Sequence, residues 1–382
     1  MSKKTIEFIK ASEIKAPPRI PTGIFALDVN LGRGANGLNG WAIGRMNVIY
    51  GDESGGKTTL VLKCLANAQK LCSKCYLPKE RCKCKGGPKK WSILFIDGEG
   101  SWTTEWAESL GVESNDIDVY RPESIENMID IISNEISNRD IIVIETLAAI
   151  LSSDEIINTE DMMKNIGLKA RMLDQAAQKW MSEIFKNDKK VTFIVENQIR
   201  KNIGVGNLFY VSQDETENLP GGKWQKFLST IMVRLYPSKP VIDVPEIESE
   251  EGVVMNVKDV VAQKFVFEIK KNKIFIKGAK DTFIMSSLND PSAKIKVGDI
   301  ISNISSAAEM AINLGLAAKV GDRKIEYGDK SFPHMGAFCR FLKKEEDEYI
   351  KLTDSIINIY ESRHSAVFSI EKEERDNGNN TG

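Results

Sequence analysis

Four short apolar runs mark the first two hundred residues, and each breaks off at polar side chains. Arg45–Tyr50 enters a glycine-rich segment, Ser92–Ile96 enters Asp97-Gly98-Glu99-Gly100, Asp140–Ile144 enters Glu145-Thr146, and Val191–Val195 enters Glu196-Asn197-Gln198. Continuous apolar runs suit strands buried on both faces of a parallel sheet. Stretches of helical period lie between them, at Thr58–Gln69, Ile125–Ile136 and Leu168–Phe185. The alternation predicts a doubly wound α/β core with a mostly parallel sheet, whose ligand edge is the C-terminal end of its strands. Strand-like runs resume at Phe265–Ile276 and Thr282–Ser286. From about Pro291 a small α/β C-terminal domain is expected, with a helix over Ser305–Leu314 and a hairpin over Lys319–Tyr327. Between them, Pro240–Gly252 carries Asp243, Glu246, Glu248, Glu250 and Glu251 and reads as a surface hairpin or linker.

Composition narrows the function classes. A chain of 382 residues, 42% hydrophobic, can bury a sizeable core with attachments. No apolar run approaches the roughly 18 residues of a membrane span. Met1–Lys15 alternates charged and apolar residues without a signal peptide's apolar core, so a cytoplasmic protein with no membrane partner is expected. The 52 basic and 54 acidic side chains leave a net charge of −2, which argues against a globally basic binder. Any nucleic-acid surface must be a local patch. Two histidines make His-rich metal catalysis a poor fit.

The glycine-rich segment adds chemistry. Gly51-Asp52-Glu53-Ser54-Gly55-Gly56-Lys57-Thr58-Thr59 matches G-x-x-x-x-G-K-[ST] at every fixed position, between a predicted strand and a predicted helix. In that context backbone N–H groups wrap phosphates at a helix N-terminus, Lys57 reaches the β- and γ-phosphates, and Thr58 ligates magnesium. An incidental glycine turn is the plainer alternative and leaves the strand–loop–helix order unexplained.

Four of the six cysteines crowd one segment: Cys72 and Cys75, then Cys82 and Cys84. C-x2-C followed by C-x-C suits a tetrahedral all-thiolate structural zinc, with free surface thiols as the alternative. Cys64 and Cys339 read as packing residues. Lys70, Lys74, Lys79, Arg81, Lys83, Lys85, Lys89 and Lys90 face only Glu80. They are either a solvated face or a phosphate-contacting one, and both readings stay open. With Gly86-Gly87-Pro88 at its exit, 71–90 reads as an inserted zinc module.

Eight pieces in order resemble the RecA family of recombinases, from about Ile20 to about Tyr360. They are Pro21-Thr-Gly-Ile-Phe-Ala-Leu-Asp28, the phosphate loop, Phe95-Ile-Asp-Gly-Glu99, Val143-Ile-Glu-Thr-Leu-Ala-Ala149, Gly167-Leu-Lys-Ala-Arg-Met172, Asn197-Gln198-Ile199-Arg200, Gly221-Gly222 with Lys226-Phe227, and Lys271-Asn272-Lys273-Ile274. The resemblance implies a RecA-type P-loop ATPase using ATP and magnesium. It would assemble on single-stranded DNA and promote homologous pairing and strand exchange with double-stranded DNA. Glu99 would be the general base, Trp106 would stack on adenine, and Glu145 would hold the Walker B position. Gln198 would sense the γ-phosphate, and Lys271 and Lys273 would enter a neighbouring subunit's site. A first DNA loop would span about Ser152–Ile166, where acids outnumber Lys164. A second would span about Arg200–Gly222. The DNA-binding set would be Arg171, Arg200, Lys201, Phe209, Gly221, Gly222 and Lys226, with Lys169 and Lys223 as further charge nearby. A RecA-fold hexameric helicase motor, a recombination accessory ATPase and a non-catalytic binder are the alternatives.

The implied layout is a short arm (1–20), an ATPase core (21–290), the small C-terminal domain (291–360) and a polar flexible tail (361–382). Three features depart from the family pattern: Glu145 in place of aspartate, the cysteine insert, and an arm in which Thr5–Ile9 could supply only a strand. They fit a divergent, phage-encoded member and weaken the expected homo-oligomeric filament, with a ring as the other arrangement.

Overall fold

The computed structural model describes residues 10–153, 162–186, 190–201, 217–243, 246–248, 254–256, 259–289 and 295–364. Thr5–Ile9 and most of the expected tail lie outside them.

Strands β1 (Arg19–Ile20) and β2 (Trp41–Ala42) pair around helix α1 (Phe25–Leu31). The core follows as β3 (Met46–Gly51), α2 (Lys57–Gln69), β4 (Ile93–Asp97), α3 (Thr104–Ser109), β5 (Ile117–Tyr120), α4 (Ile125–Glu135), β6 (Ile141–Glu145), α5 (Met162–Lys186) and β7 (Thr192–Gln198). The two-residue strands β8 (Arg200–Lys201) and β9 (Glu217–Asn218) pair before α6 (Trp224–Leu228). Then come β10 (Ile231–Asp243), β11 (Glu246–Glu248), β12 (Val254–Asn256), β13 (Asp259–Asn272) and β14 (Lys280–Ser286). The C-terminal elements are α7 (Asn303–Asn313), β15 (Ala318–Val320), β16 (Lys324–Tyr327), β17 (Lys330–Phe332), α8 (Met335–Lys344) and α9 (Glu346–His364).

Eight strands form one sheet in the order β14-β13-β10-β3-β7-β6-β4-β5. Neighbours from β10 to β5 are parallel, and β13 and β14 close one edge antiparallel. Successive side chains of each strand point to opposite faces. Ile93, Phe95, Ile141 and Val143 therefore pack with α1 and α2, while Leu94, Ile96, Ile142 and Ile144 pack with α4 and α5. Both faces are buried, which is why these strands read as unbroken apolar runs.

Three stretches refine the sequence expectation, the second of them as the surface hairpin read at Pro240–Gly252. Helix α5 begins at Met162, so the end of the expected first DNA loop is helical; residues 154–161 lie outside the described set. The spacing Met162, Ile166, Ala170, Leu173 already continues the helical period. β10 and β13 run on as a long antiparallel ribbon to Asp243↔Asp259, with register shifts around Pro237–Pro240. Proline cannot donate to the ladder, which accounts for a break there. The C-terminal elements carry their own small sheet, yet Ala307, Ala311, Phe338 and Ile356 belong to the same apolar core as α1. Asn303 fastens that docking: it donates to Gly23 O at 2.9 Å and accepts from Phe25 N at 3.0 Å. Helix α9 continues to His364, four residues into the stretch expected as a tail.

Candidate active site

Parallel pairing delivers the ends of β3, β4, β6 and β7 to one edge. Its register sets Gly51 beside Gln198 and Asp97 beside Glu145. From β3 the chain turns through Ser54 and Gly56, both with positive φ (56° and 76°), into α2. Gly51 serves the sheet: a Cβ there would lie 2.1 Å from Leu235 O of β10. Lys57 is buried, and its Nζ folds back over the loop to donate to Asp52 O at 2.9 Å. A cleft of about 510 Å³ opens here, lined by the loop from Glu53 to Thr59 with Glu99, Trp106 and Gln198. These expected site residues are brought together. The free N–H groups and positive dipole end of α2 make the loop an anion cradle.

Beneath the loop lie the carboxylates. Thr58 Oγ1 is 2.8 Å from Glu145 Oε1 and 3.0 Å from Glu196 Oε1. Ser101 Oγ donates to Glu145 Oε2 at 2.7 Å, so the longer side chain at this position is pinned at both oxygens. Burial, countered by those hydrogen bonds, raises the Glu145 carboxyl above its usual range. Glu196 is pushed up to about 8, by burial first and by the Glu145 charge next. Asp97, also buried, accepts from Ser101 N (2.8 Å) and Trp102 N (3.3 Å) and pairs with Arg121 Nε at 2.9 Å. It thereby orders the turn that carries Glu99. Hydroxyl and carboxylate oxygens are the hard donors that magnesium takes, and the buried Glu196 Oε2 has no hydrogen-bond partner among the described residues, so these residues fit the ion.

Glu196 and Ser101 were missed as site residues by sequence reasoning. A signal for Glu196 was present: it alternates with Ile194, which packs on the α2 face, so an acid two positions on must look toward the phosphate loop.

Gln198 joins the two halves of the edge. Its Nε2 donates to Glu99 Oε1 at 2.8 Å, and the next residue, Ile199, donates its N–H to Gly51 O at 3.2 Å. Two residues on, β8 holds Arg200 and Lys201 and pairs with β9, which makes a hairpin stem of the expected second DNA loop. Phe209 lies outside the described residues. Asn197 Nδ2 anchors the return of the loop through Pro220 O (2.8 Å) and Gln225 Oε1 (3.1 Å), just before the Gly221-Gly222 turn into α6. Arg171 lines a separate cleft with Gly222, Lys223 and Phe227. Lys169 does not face that way: it is buried and donates to Ile150 O, which corrects its reading as nearby DNA-facing charge.

Within this one chain, Lys271 Nζ donates to the carbonyls of Lys226 and Phe227, and Lys273 Nζ donates to Phe227 O at 3.1 Å. Both thus cap the end of α6, where carbonyls lack helical partners. Burial, then the Lys273 charge, lowers the Lys271 ammonium to about 8.

At the far end of α2, Cys72, Cys75, Cys82 and Cys84 place their sulfurs within 4.8 Å of one another. Cys72–Cys84 is 3.9 Å and Cys75–Cys82 is 3.7 Å, and all four thiols are free. A tetrahedron with metal–sulfur bonds of about 2.3 Å has edges of about 3.8 Å, so the donor set fits zinc. Burial alone would raise the Cys72 thiol, but N–H groups of Lys89, Cys75 and Lys74 outweigh it and hold the thiol near 6. The insert is tied to the core by Trp91 Nε1 to Leu71 O (3.0 Å) and Asn36 Nδ2 to Tyr76 O (2.9 Å). Cys64 is buried in the core as expected.

Sheet, loop and carboxylates together define a P-loop ATPase of the doubly wound class. Residues 3–279 match the family model described as the RecA N-terminal domain. The RecA protein of Aquifex aeolicus (strain VF5) is 30% identical over 352 residues, covering 91% of this chain and 84% of that protein. The RecA protein of Acholeplasma laidlawii (strain PG-8A) is 32% identical over 307 residues, covering 79% and 75%. That of Nocardioides sp. (strain ATCC BAA-499 / JS614) is 31% identical over 322 residues, covering 83% and 76%. The chain belongs to the RecA family, whose members are DNA-dependent ATPases of recombination and repair. Among the described residues no helix is long and apolar enough to cross a membrane.

Proposed function

We propose that this chain works as an ATP-dependent recombinase that assembles as a filament on single-stranded DNA, in the cytoplasm, and exchanges homologous strands. The observation that carries this reading is the 2.8 Å hydrogen bond from Gln198 to Glu99, which links the ATP-facing acid to the stem of a DNA loop. Glu99 takes a proton from water as the water oxygen bonds to the γ-phosphorus. The bond from that phosphorus to the bridging oxygen breaks, and its electron pair leaves with ADP. Loop amides and Lys57 hold the phosphates, and Thr58 and Glu145 hold magnesium, which when bound offsets phosphate charge. Trp106 stacks on adenine. With ATP present, Gln198 turns from Glu99 to the terminal phosphate and shifts β8 with Arg200 and Lys201, and hydrolysis reverses the shift. Phe209 and the Gly221-Gly222 turn complete that DNA surface, with Arg171 and Lys226 beside it. Lys271 and Lys273 exchange their carbonyl caps for a neighbour's ATP on assembly, with a domain layout as implied by the family.

The cysteine module holds one zinc, which when bound braces the insert. Fluorescence anisotropy and electron microscopy with a non-hydrolysable ATP analogue test the main reading. ATP-dependent filaments on single-stranded DNA are expected; closed rings that unwind forks without pairing homologous strands would turn it toward the helicase class.

A further inference from the structure

At Thr58 one hydroxyl faces two carboxylates, Glu145 at 2.8 Å and Glu196 at 3.0 Å. A hydroxyl carries a single proton and donates to one acceptor at a time. Thr58 therefore donates to only one of the two when both are ionised. Glu145 turns its other oxygen to Ser101, whereas Glu196, 3% exposed, leaves its buried Oε2 without a hydrogen-bond partner among the described residues. The Lys57 ammonium donates to Asp52 O and reaches Glu196 through its charge rather than through a hydrogen bond. A buried carboxylate with an unsatisfied oxygen is costly unless a cation or donor meets it.

Resting on the nucleotide–magnesium reading above, we propose that Glu196 is a second carboxylate of the metal site, flanking with Glu145 the divalent cation that Thr58 ligates. Glu145 and Thr58 stay pinned to each other, and the free Glu196 oxygen turns to the cation or to a water on it. Two carboxylates and a hydroxyl form an all-oxygen set that belongs to the protein rather than to the γ-phosphate. With Glu196 in the set, these residues would hold a divalent cation without the γ-phosphate, in the ADP state.

Manganese is a suitable probe, because free Mn²⁺ is counted directly by electron paramagnetic resonance. The full chain and Glu196→Gln are titrated with Mn²⁺ in the presence of ADP, while a fluorescent ADP analogue reports nucleotide binding separately. With the analogue showing the nucleotide site filled in both proteins, the variant is expected to hold Mn²⁺ on the order of 10–100-fold more weakly. Unchanged Mn²⁺ affinity overturns the proposal, leaving Glu196 as a protonated hydrogen-bond donor, a role the amide retains. Glu196→Asp draws the carboxylate back by one methylene and decides the matter if the amide variant does not fold: weakened Mn²⁺ binding supports the proposal and unchanged binding overturns it. Wild-type chain that binds no analogue at all would overturn the nucleotide reading with it.

Discussion

Helix α2 has a metal-competent site at each end, and the two are built in opposite ways. Thirteen residues, about 20 Å of helix, lie between the phosphate loop and the cysteine cluster. The cluster draws all four sulfurs from Cys72–Cys84, within a single short loop. The oxygen site draws Thr58 from α2, Ser101 from the turn after β4, Glu145 from β6 and Glu196 from β7. The first needs only a local turn to close. The second exists only once four strands have paired in register, so its geometry responds to anything that shifts the sheet. Soft thiolates and hard oxygens also select different ions, which keeps the two ends chemically separate.

The largest expected break falls at the assembled site. Glu99→Gln should lower ATP turnover by roughly 10²- to 10⁴-fold, the range for removing a positioned general base, with zinc content unchanged. A variant that hydrolyses ATP like wild type would remove Glu99 from the chemistry. The converse break is Cys75→Ser with Cys82→Ser. Zinc measured in chelator-free protein should fall from about one per chain to near none, with lower thermal stability and intact nucleotide binding. Loss of nucleotide binding would show that the two ends of α2 are coupled.

A subtler test concerns communication. Gln198→Ala should reduce the stimulation of ATP hydrolysis by single-stranded DNA on the order of tenfold, since it deletes one hydrogen bond to a charged group, while DNA-free turnover changes less. Equal loss in both would make Gln198 part of the hydrolytic site alone. The smallest effect is a pH dependence. Lys271 titrates near 8 in the folded chain against 10.5 unfolded. Between those values the unfolded chain binds the extra proton, so stability rises with pH across that window. Denaturant melts at pH 8 and pH 10 should show a small gain that Lys271→Met removes.

Much of this was legible in the sequence for a physical reason. Strands β3, β4, β6 and β7 are buried on both faces and so are written as unbroken apolar runs, each ending where the site begins. The phosphate loop and the cysteine cluster are contiguous, and contiguous chemistry is visible as spacing. β5 was less visible because its pattern is broken by the exposed Asp118 and Val119. The ribbon of β10 and β13 was only partly visible: its prolines and acids read as a surface hairpin or linker, and the partner strand decides for the hairpin. Lys169 could be assigned a direction only once α5 had docked and its ammonium had met Ile150 O.

The chain by itself determined which residue types are available: a phosphate loop, four thiols, and acids at the ends of buried strands. Those properties depend on neighbours a few residues apart, where local geometry is nearly constrained. Only the tertiary structure decided that Glu145 and Glu196 share one hydroxyl, that Gln198 touches Glu99, and that Lys271 and Lys273 cap α6. These contacts join residues dozens of positions apart, and a shift of one residue in the sheet would turn each of the strand-borne acids to the opposite face.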